Sequence, residues 1–230
     1  MADKRDTVVR LFDHPGDALR AVRRLEALGI DDDNISLIAN NREGWYSDKG
    51  VHHDRLSRSE KHGIKDDDLD GKDDRAEGAG KGATTGAAIG AGAGLLAGLG
   101  MLAVPGLGPI VAVGWLASTA TGAIAGAAGG GAIGAILGAL THEGVDRKDA
   151  EVYAESIRRG GAVVIVRDVG TRRRDVEQAL SDYASDPSAR ADYYRSGGWN
   201  GYSDSAPELG VSDIEAERTR AAAYRPTTRM

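Results

Sequence analysis

The chain has 230 residues, enough for one ordinary domain with additions, and aromatic residues make up 5% of it, so a core must consist mainly of aliphatic side chains. The net charge of −6 gives no electrostatic reason to bind nucleic acid, and we expect no nucleic-acid partner. Cysteine is absent, which excludes disulfides, thiolate metal sites and a cysteine nucleophile.

The chain begins with a pattern typical of a β-α-β unit, within residues 1–40. Residues 7–12 are β-branched and apolar, which indicates a strand, and 35–39 indicate a second strand. Between them, after the possible N-cap Asp13, apolar side chains recur at helical spacing until Gly29, which suits the end of a helix. We expect this unit to be the N-terminal half of a small α/β domain.

Residues 41–77 lack hydrophobic periodicity and are rich in Asp and Lys, so we expect a flexible, mostly acidic linker. His52, His53 and His62 lie in this stretch, and imidazole is a suitable ligand for a divalent metal. Their spacing matches no compact metal site, so the sequence predicts a solvated linker and no metal.

Glycine at every fourth position marks residues 78–141, which we expect to form a glycine-zipper helical hairpin. Residues 82–141 contain no charged side chain. A four-residue repeat drifts by only about 40° per step on a helix, so each glycine series makes a groove in which a second backbone can approach closely. The predicted helix-packing residues are Gly82, Gly86, Gly90, Gly94, Gly98, Gly122, Gly126, Gly130, Gly134 and Gly138.

The predicted turn of the hairpin lies at 105–109, between two prolines, and it makes the two glycine series face each other. A helix over 83–104 would extend about 33 Å, which matches a hydrocarbon core of about 30 Å. Lys and Arg flank only the open end, which predicts an inner-membrane hairpin with the soluble parts in the cytoplasm. The sequence is equally compatible with a wedge in which only the tip of the hairpin enters the bilayer. The predicted membrane tip consists of Leu99, Leu102, Ile110 and Trp115.

The C-terminal part predicts an α-β-α unit in 142–185, with its strand at 162–168, followed by a polar tail. Each soluble half is too small to bury a good core, so we expect both to join in one three-stranded α/β (α+β) domain that the linker and hairpin interrupt. The tail, 186–230, is rich in Gly, Ser and Tyr and is expected to be disordered, with a possible short helix from Ser212 to Ala223.

No catalytic pattern is recognisable in the sequence. The stretch 78–85 is similar to a phosphate-binding loop, but Lys81 is followed by Gly82 and no strand precedes it. No Ser/His/Asp set or paired catalytic carboxylates has a recognisable context. We therefore expect no catalytic residue, no cofactor and no enzymatic activity.

Two segments resemble the bacterial general stress protein family of the heat-induced, 17M-like type. One runs from the strand at 7–12 through Gly29-Ile30 to the strand at 35–38. The other is the run from Gly144 to Val166 that follows the glycine-rich stretch. The resemblance implies a bacterial stress-response protein, and it implies no catalytic residues.

Together these features predict a non-enzymatic, membrane-associated general stress response protein. The hairpin would anchor it to membrane lipid and drive homo-oligomerisation. The alternative is a soluble, cytoplasmic oligomer that binds a ligand or partner, with the hairpin buried in the assembly. A deep polar pocket between the two halves would favour the alternative, and a fully packed interface would count against it.

Overall fold

The computed structural model describes residues 6–47, 50–56, 100–104, 107–117, 131–203 and 205–224. These residues form a mixed α/β fold around one antiparallel sheet, which confirms the predicted fold class at that level. The strands are β1 (Val8–Phe12), β2 (Ile35–Asn40), β3 (Tyr46–Ser47), β4 (Gly50–Val51), β5 (Gly100–Val104), β6 (Gly108–Val113) and β7 (Ala162–Val166). The main sheet has the order β1-β7-β2-β6-β5, and β3 and β4 form a separate hairpin.

Helices cover both faces of this sheet, because its central strands carry apolar side chains on both sides. The helices are α1 (Pro15–Ala27), α2 (His53–Leu56), α3 (Gly131–His142), α4 (Arg147–Arg158), α5 (Arg173–Ser181), α6 (Pro187–Ser196) and α7 (Val211–Ala223). Helices α1 and α5 pack on one face, and α3 and α4 pack on the other.

Strand β7 lies between β1 and β2 and pairs antiparallel with both, so Val166 is opposite Val8 on one side and Ile35 on the other. All five residues of β7 are buried. This central position explains the continuous apolar run in the sequence, and it places the N-terminal and C-terminal halves in one sheet. The predicted sheet of three strands is too small, because β6 and β5 extend it to five.

The prediction of two helices flanking a turn at 105–109 is wrong for residues 100–104 and 108–113, which are β5 and β6. The chain does reverse between Val104 and Gly108, which pair with each other. The physical reason lies in β6, whose β-branched side chains suit a strand beside the free edge of β2. The four-residue glycine spacing also stops at Gly98 and resumes only at Gly122.

The predicted acidic linker is wrong for the described part of 41–56. This segment contains β3, β4 and α2, and it contributes Trp45 (1% exposed) and Leu56 (0%) to the core. The Trp45 indole nitrogen donates to the Asn40 carbonyl at 2.7 Å. Two large apolar anchors therefore order a segment whose average composition is polar. The remainder of the predicted linker lies outside the described residues.

The predicted disordered tail is wrong for residues 187–196, which form α6. The short helix predicted from Ser212 to Ala223 is confirmed as α7 (Val211–Ala223). Helix α6 starts at Pro187, where the Asp186 side chain accepts from the Ser188 amide at 2.8 Å. Buried Tyr194 and Ile214 hold the two helices against the domain. The polar composition of this region hides a few anchors that are sufficient for order.

Candidate self-association surface

One side of helix α3 packs against the sheet and against the neighbouring helix α4. Ile136, Ala139 and Leu140 are buried there with Ile110 of β6. The chain turns directly from α3 into α4, where the Val145 amide donates to the Leu140 carbonyl at 3.1 Å. This short connection makes α3 and α4 neighbours on the same face of the sheet.

The opposite side of α3 carries Gly134 and Gly138, both exposed. Among the described residues, apart from the adjoining backbone of α3 itself, no heavy atom lies within 4 Å of a Cβ atom added to either glycine. The sequence of α3, from Gly131 to Leu140, is apolar on every face, and a helix of this kind is normally covered on all sides. The described residues cover only one side, so the glycine face of α3 (Gly134 and Gly138) is an open groove.

Glycine in a helix interior is destabilising by about 1 kcal/mol relative to alanine. Nothing inside the described part of the chain repays that cost at Gly134 or Gly138, since an alanine methyl would fit at both positions. Close approach of a second helix is the physical situation in which glycine at this spacing is favourable.

The other predicted packing residues cannot be placed. Gly82, Gly86, Gly90, Gly94, Gly98, Gly122, Gly126 and Gly130 lie outside the described residues, and so does Leu99 of the predicted membrane tip.

The remaining tip residues, Leu102, Ile110 and Trp115, belong to the sheet and its margin and not to the turn of a helical hairpin. Leu102 of β5 is opposite Ile110 of β6, and Ile110 is 1% exposed in the core. Trp115 is half-buried and lies against Arg167, whose guanidinium carbon is 4.8 Å from the ring centroid. Among the helices that the structure describes, none is long and apolar enough to cross a membrane.

An ionic cluster joins the tail to α4, and no local pattern in the sequence indicates it. The Arg159 Nε donates to Glu155 at 2.6 Å, and the same guanidinium binds Glu217 of α7 and lies 4.3 Å from the ring centre of Tyr194. Burial alone would lower the pKa of Arg159, but the two carboxylates outweigh it and raise this pKa. The cluster fixes α7 on the domain.

The cavity beside this cluster is too small for a ligand. It measures about 20 Å³, which is room for a single water molecule. Ser156 and Tyr194 exchange a hydrogen bond of 2.9 Å at its wall, and burial raises the pKa of the Tyr194 hydroxyl. The tail and α4 are therefore packed together here.

Helix α1 is capped by His14, and Asp13, the predicted cap, binds Arg190 of α6 instead. The His14 Nδ1 accepts from the Gly16 amide at 3.0 Å, which makes Nε2 the protonated nitrogen of the neutral ring. Burial, followed by the charges of Arg218 and Arg20, lowers the pKa of His14 to about 3. The ring is thus a neutral structural cap at physiological pH.

A polar cleft of about 210 Å³ lies between the loops of the two halves, lined by Gly29, Ile30, Asp31, Asn34, Val166, Arg167, Asp168, Val169 and Arg172. The Arg172 guanidinium donates to the carbonyls of Leu28 and Gly29, at 2.5 and 3.1 Å. Arg167 Nε is buried and has no hydrogen-bond partner in the described structure. Asp168 adopts a φ of +53°, which is uncommon for a residue with a Cβ.

In the described ranges, no three His, Cys, Asp or Glu side chains are grouped so that they could hold a metal ion. Comparison with protein-family models, with curated proteins and with solved structures finds no match for this chain. The resemblance to the general stress family therefore stays a prediction.

Proposed function

We propose that this chain is a non-enzymatic protein that self-associates through its uncharged, glycine-rich helical surface. The observation that carries the proposal is α3, which has no charged side chain between Gly131 and Leu140 and leaves Gly134 and Gly138 open. A role in the bacterial stress response forms part of the proposal, and it rests on the sequence resemblance alone.

The proposed occupant of the glycine face is α3 of a second copy. Small residues four positions apart let two identical helices approach along the same face, and the contact becomes self-complementary about a twofold axis. No like charges oppose each other there, since Thr141 is the polar residue nearest to Gly138 and its hydroxyl donates to the Leu137 and Gly138 carbonyls, both at 2.9 Å.

Membrane attachment belongs to the proposal in a restricted form. A helix over the uncharged residues 82–99 would extend about 27 Å, against about 30 Å for a hydrocarbon core. Strand β5 follows directly and is joined through β6 to β2. One complete crossing would leave β5 on the far side of the bilayer from β2, so the segment would have to enter and leave on the same side.

The test of self-association replaces the groove with a bulky side chain. Gly138→Leu is expected to weaken association at least tenfold in light scattering over a dilution series, because the side chain fills the groove. Gly138→Ala keeps a small residue and serves as the control. Equal association of all three proteins would refute the proposed contact.

Fractionation separates membrane attachment from assembly in solution. If the segment 82–99 contacts lipid, the protein should sediment with vesicles of bacterial lipid extract and detergent should release it. An assembled protein that stays wholly in the supernatant with these vesicles would refute the lipid contact and keep the self-association.

A ligand-binding role is the second candidate, and the polar cleft is the observation that favours it. The unpartnered Arg167 Nε would suit an anionic acceptor, so inorganic phosphate is a suitable probe. Phosphate should raise the melting temperature of the wild type and of Arg147→Met, whose side chain is 79% exposed, and leave Arg167→Met unchanged. An equal response of all three would exclude the cleft as an anion site.

A further inference from the structure

The polar cleft at the end of the central strands carries the inference. It lies where β7 ends and β2 begins, because Ile35 is opposite Val166 in the sheet. The Arg167 amide donates to the Asn34 carbonyl at 3.0 Å, so the pairing continues for one residue beyond both strands. The cleft, at about 210 Å³, is about ten times larger than the one-water cavity beside the ionic cluster. It therefore has room for a small organic molecule.

Four charged side chains line the cleft, and two of them are engaged with the backbone. The Arg172 guanidinium donates to the carbonyls that follow α1, and the Asp31 carboxylate accepts from the Asp33 amide at 3.0 Å. The other two are Arg167 and Asp168. In the part of the chain that the structure describes, no hydrogen bond or ion pair engages the Asp168 carboxylate. The charges that remain for a ligand are one cation and one anion.

The Arg167 guanidinium is held in place from two sides. Its Nη2 donates to the Asp33 carbonyl at 3.1 Å, and its central carbon lies 4.8 Å from the ring centre of Trp115. Its Nε and Nη1 have no hydrogen-bond partner among the described residues. A donor that is already immobilised loses little further freedom when it binds a carboxylate through charge-assisted hydrogen bonds.

The backbone brings the Asp168 side chain to the same cleft as that of Arg167. Consecutive residues of a strand point to opposite faces of a sheet. The φ of +53° at Asp168 ends the strand geometry, and both side chains line the cleft. Asp168 is exposed, so its carboxylate is accessible to a ligand. The Asn34 carboxamide, which has no partner within the described ranges, adds a donor and an acceptor.

We propose that the cleft binds a small zwitterion, an α-amino acid with a short aliphatic side chain. The carboxylate of this ligand accepts from Arg167, and its ammonium group donates to Asp168. Half-buried Ile30 and buried Val169 line the cleft and contact the aliphatic side chain. A zwitterion engages both remaining charges, whereas a simple anion is repelled by Asp168. The proposal rests on the ligand-binding candidate described above and names its class of ligand.

Calorimetric titration of the full-length protein tests the class of ligand. L-valine, isovalerate and isobutylamine share an isopropyl group, but isovalerate lacks the ammonium group and isobutylamine lacks the carboxylate. L-valine should bind at least tenfold more tightly than either analogue, because it alone engages both charges. Equal affinity for L-valine and isovalerate would overturn the zwitterion site.

Asp168→Asn tests the anionic side of the cleft. Asparagine also tolerates a positive φ, so the variant keeps the backbone. It should bind L-valine at least tenfold more weakly than the wild type and isovalerate at least as tightly, because the repulsion of the anion is removed. Asp192→Asn, at a side chain 59% exposed on α6, is the control and should change neither affinity. Equal losses for both ligands in Asp168→Asn would indicate a structural role and overturn the proposal.

Inorganic phosphate separates this proposal from the candidate on which it rests. A protein that phosphate stabilises through Arg167, but that does not bind L-valine at millimolar concentrations, would overturn the zwitterion site and keep the anion site. A protein that responds to neither compound would overturn both. Self-association is measured separately and does not depend on either result.

Discussion

The two edges of the sheet, at β1 and at β5, are flanked by residues of opposite character. The β1 side is closed by charged and aromatic residues of the C-terminal segment, with the ion pair of Asp13 and Arg190 and the cluster around Arg159. The β5 side has uncharged Gly, Ala and aliphatic residues, and it leaves Met101 and the glycine face of α3 exposed. In this molecule the charged and aromatic residues lie on the covered β1 side. The uncharged, apolar residues lie on the β5 side, which the described residues leave exposed.

The largest expected effect is a loss of folding stability on the β1 side when the pH is lowered. The pKa of His14 falls from 6.5 to about 3 on folding, so the unfolded chain binds a proton there first as the pH falls. The stability that the neutral ring provides is complete above pH 6.5 and is lost as the pH falls toward 3, by up to about 5 kcal/mol.

Chemical denaturation of the wild type and His14→Asn between pH 7 and pH 3 checks this expectation. Asparagine can still cap α1 but does not titrate, and the carboxylates titrate in both proteins, so the difference reports His14. Parallel pH profiles of the two proteins would contradict the assignment.

Gly161→Ala should have the next largest effect. The added Cβ would lie 2.8 Å from the Phe12 carbonyl oxygen and 2.9 Å from the Ser156 carbonyl oxygen, and backbone atoms cannot move aside cheaply. We expect a loss of about 3 kcal/mol in the free energy of unfolding. Urea unfolding measures it, and a loss below about 1 kcal/mol would show that this end of the sheet tolerates movement.

Glu217→Gln should lower the free energy of unfolding by about 2 kcal/mol, because its 8% exposed carboxylate holds α7 to Arg159. Asp192→Asn removes the same charge from an exposed pair, with Arg195 at 3.2 Å, and should change stability by less than about 0.5 kcal/mol. Urea unfolding compares them. Equal effects would mean that the C-terminal segment is held by its apolar contacts alone.

Gly138→Ala should change the free energy of unfolding least, and it should raise this free energy where the other substitutions lower it. In the described part of the chain, no atom beyond the adjoining backbone of α3 lies within 4 Å of the added methyl group, so the variant should gain about 1 kcal/mol of stability under monomeric conditions. Thermal unfolding at high dilution measures it. A loss of stability would show that the glycine face is already occupied within one copy, which would remove the contrast between the two sides.

Part of the fold could be predicted because some elements repeat their apolar residues with one clear period. The helix ending before Gly29 and the strand beginning at Ala162 are of this kind. The strands β5 and β6 could not be predicted in this way. A short apolar run is compatible with a helix or a strand, and the free edge of β2, distant in sequence, decides between them.

For the candidate surface, the sequence could predict the residue types, uncharged and glycine-rich. It could not predict where these residues lie in the fold. The spacing of Gly134 and Gly138 indicates a helix-packing face, and both glycines do share the exposed side of α3. The exposure of Met101 depends on the strand order of the sheet. Residues such as Glu217 gave no signal, since charge in a polar tail is ordinary and its significance depends on Arg159 being nearby.

By itself, the sequence determined the mixed α/β class, the uncharged stretch and its glycine spacing, because composition and local periodicity contain this information. Tertiary structure alone decided that β7 lies between β1 and β2, that residues 100–104 and 108–113 become strands, and that residues 187–196 of the polar tail form a helix. The reason is physical. Strand pairing, ion pairing and burial join residues far apart in the chain, and their energies depend on partners that no local pattern identifies.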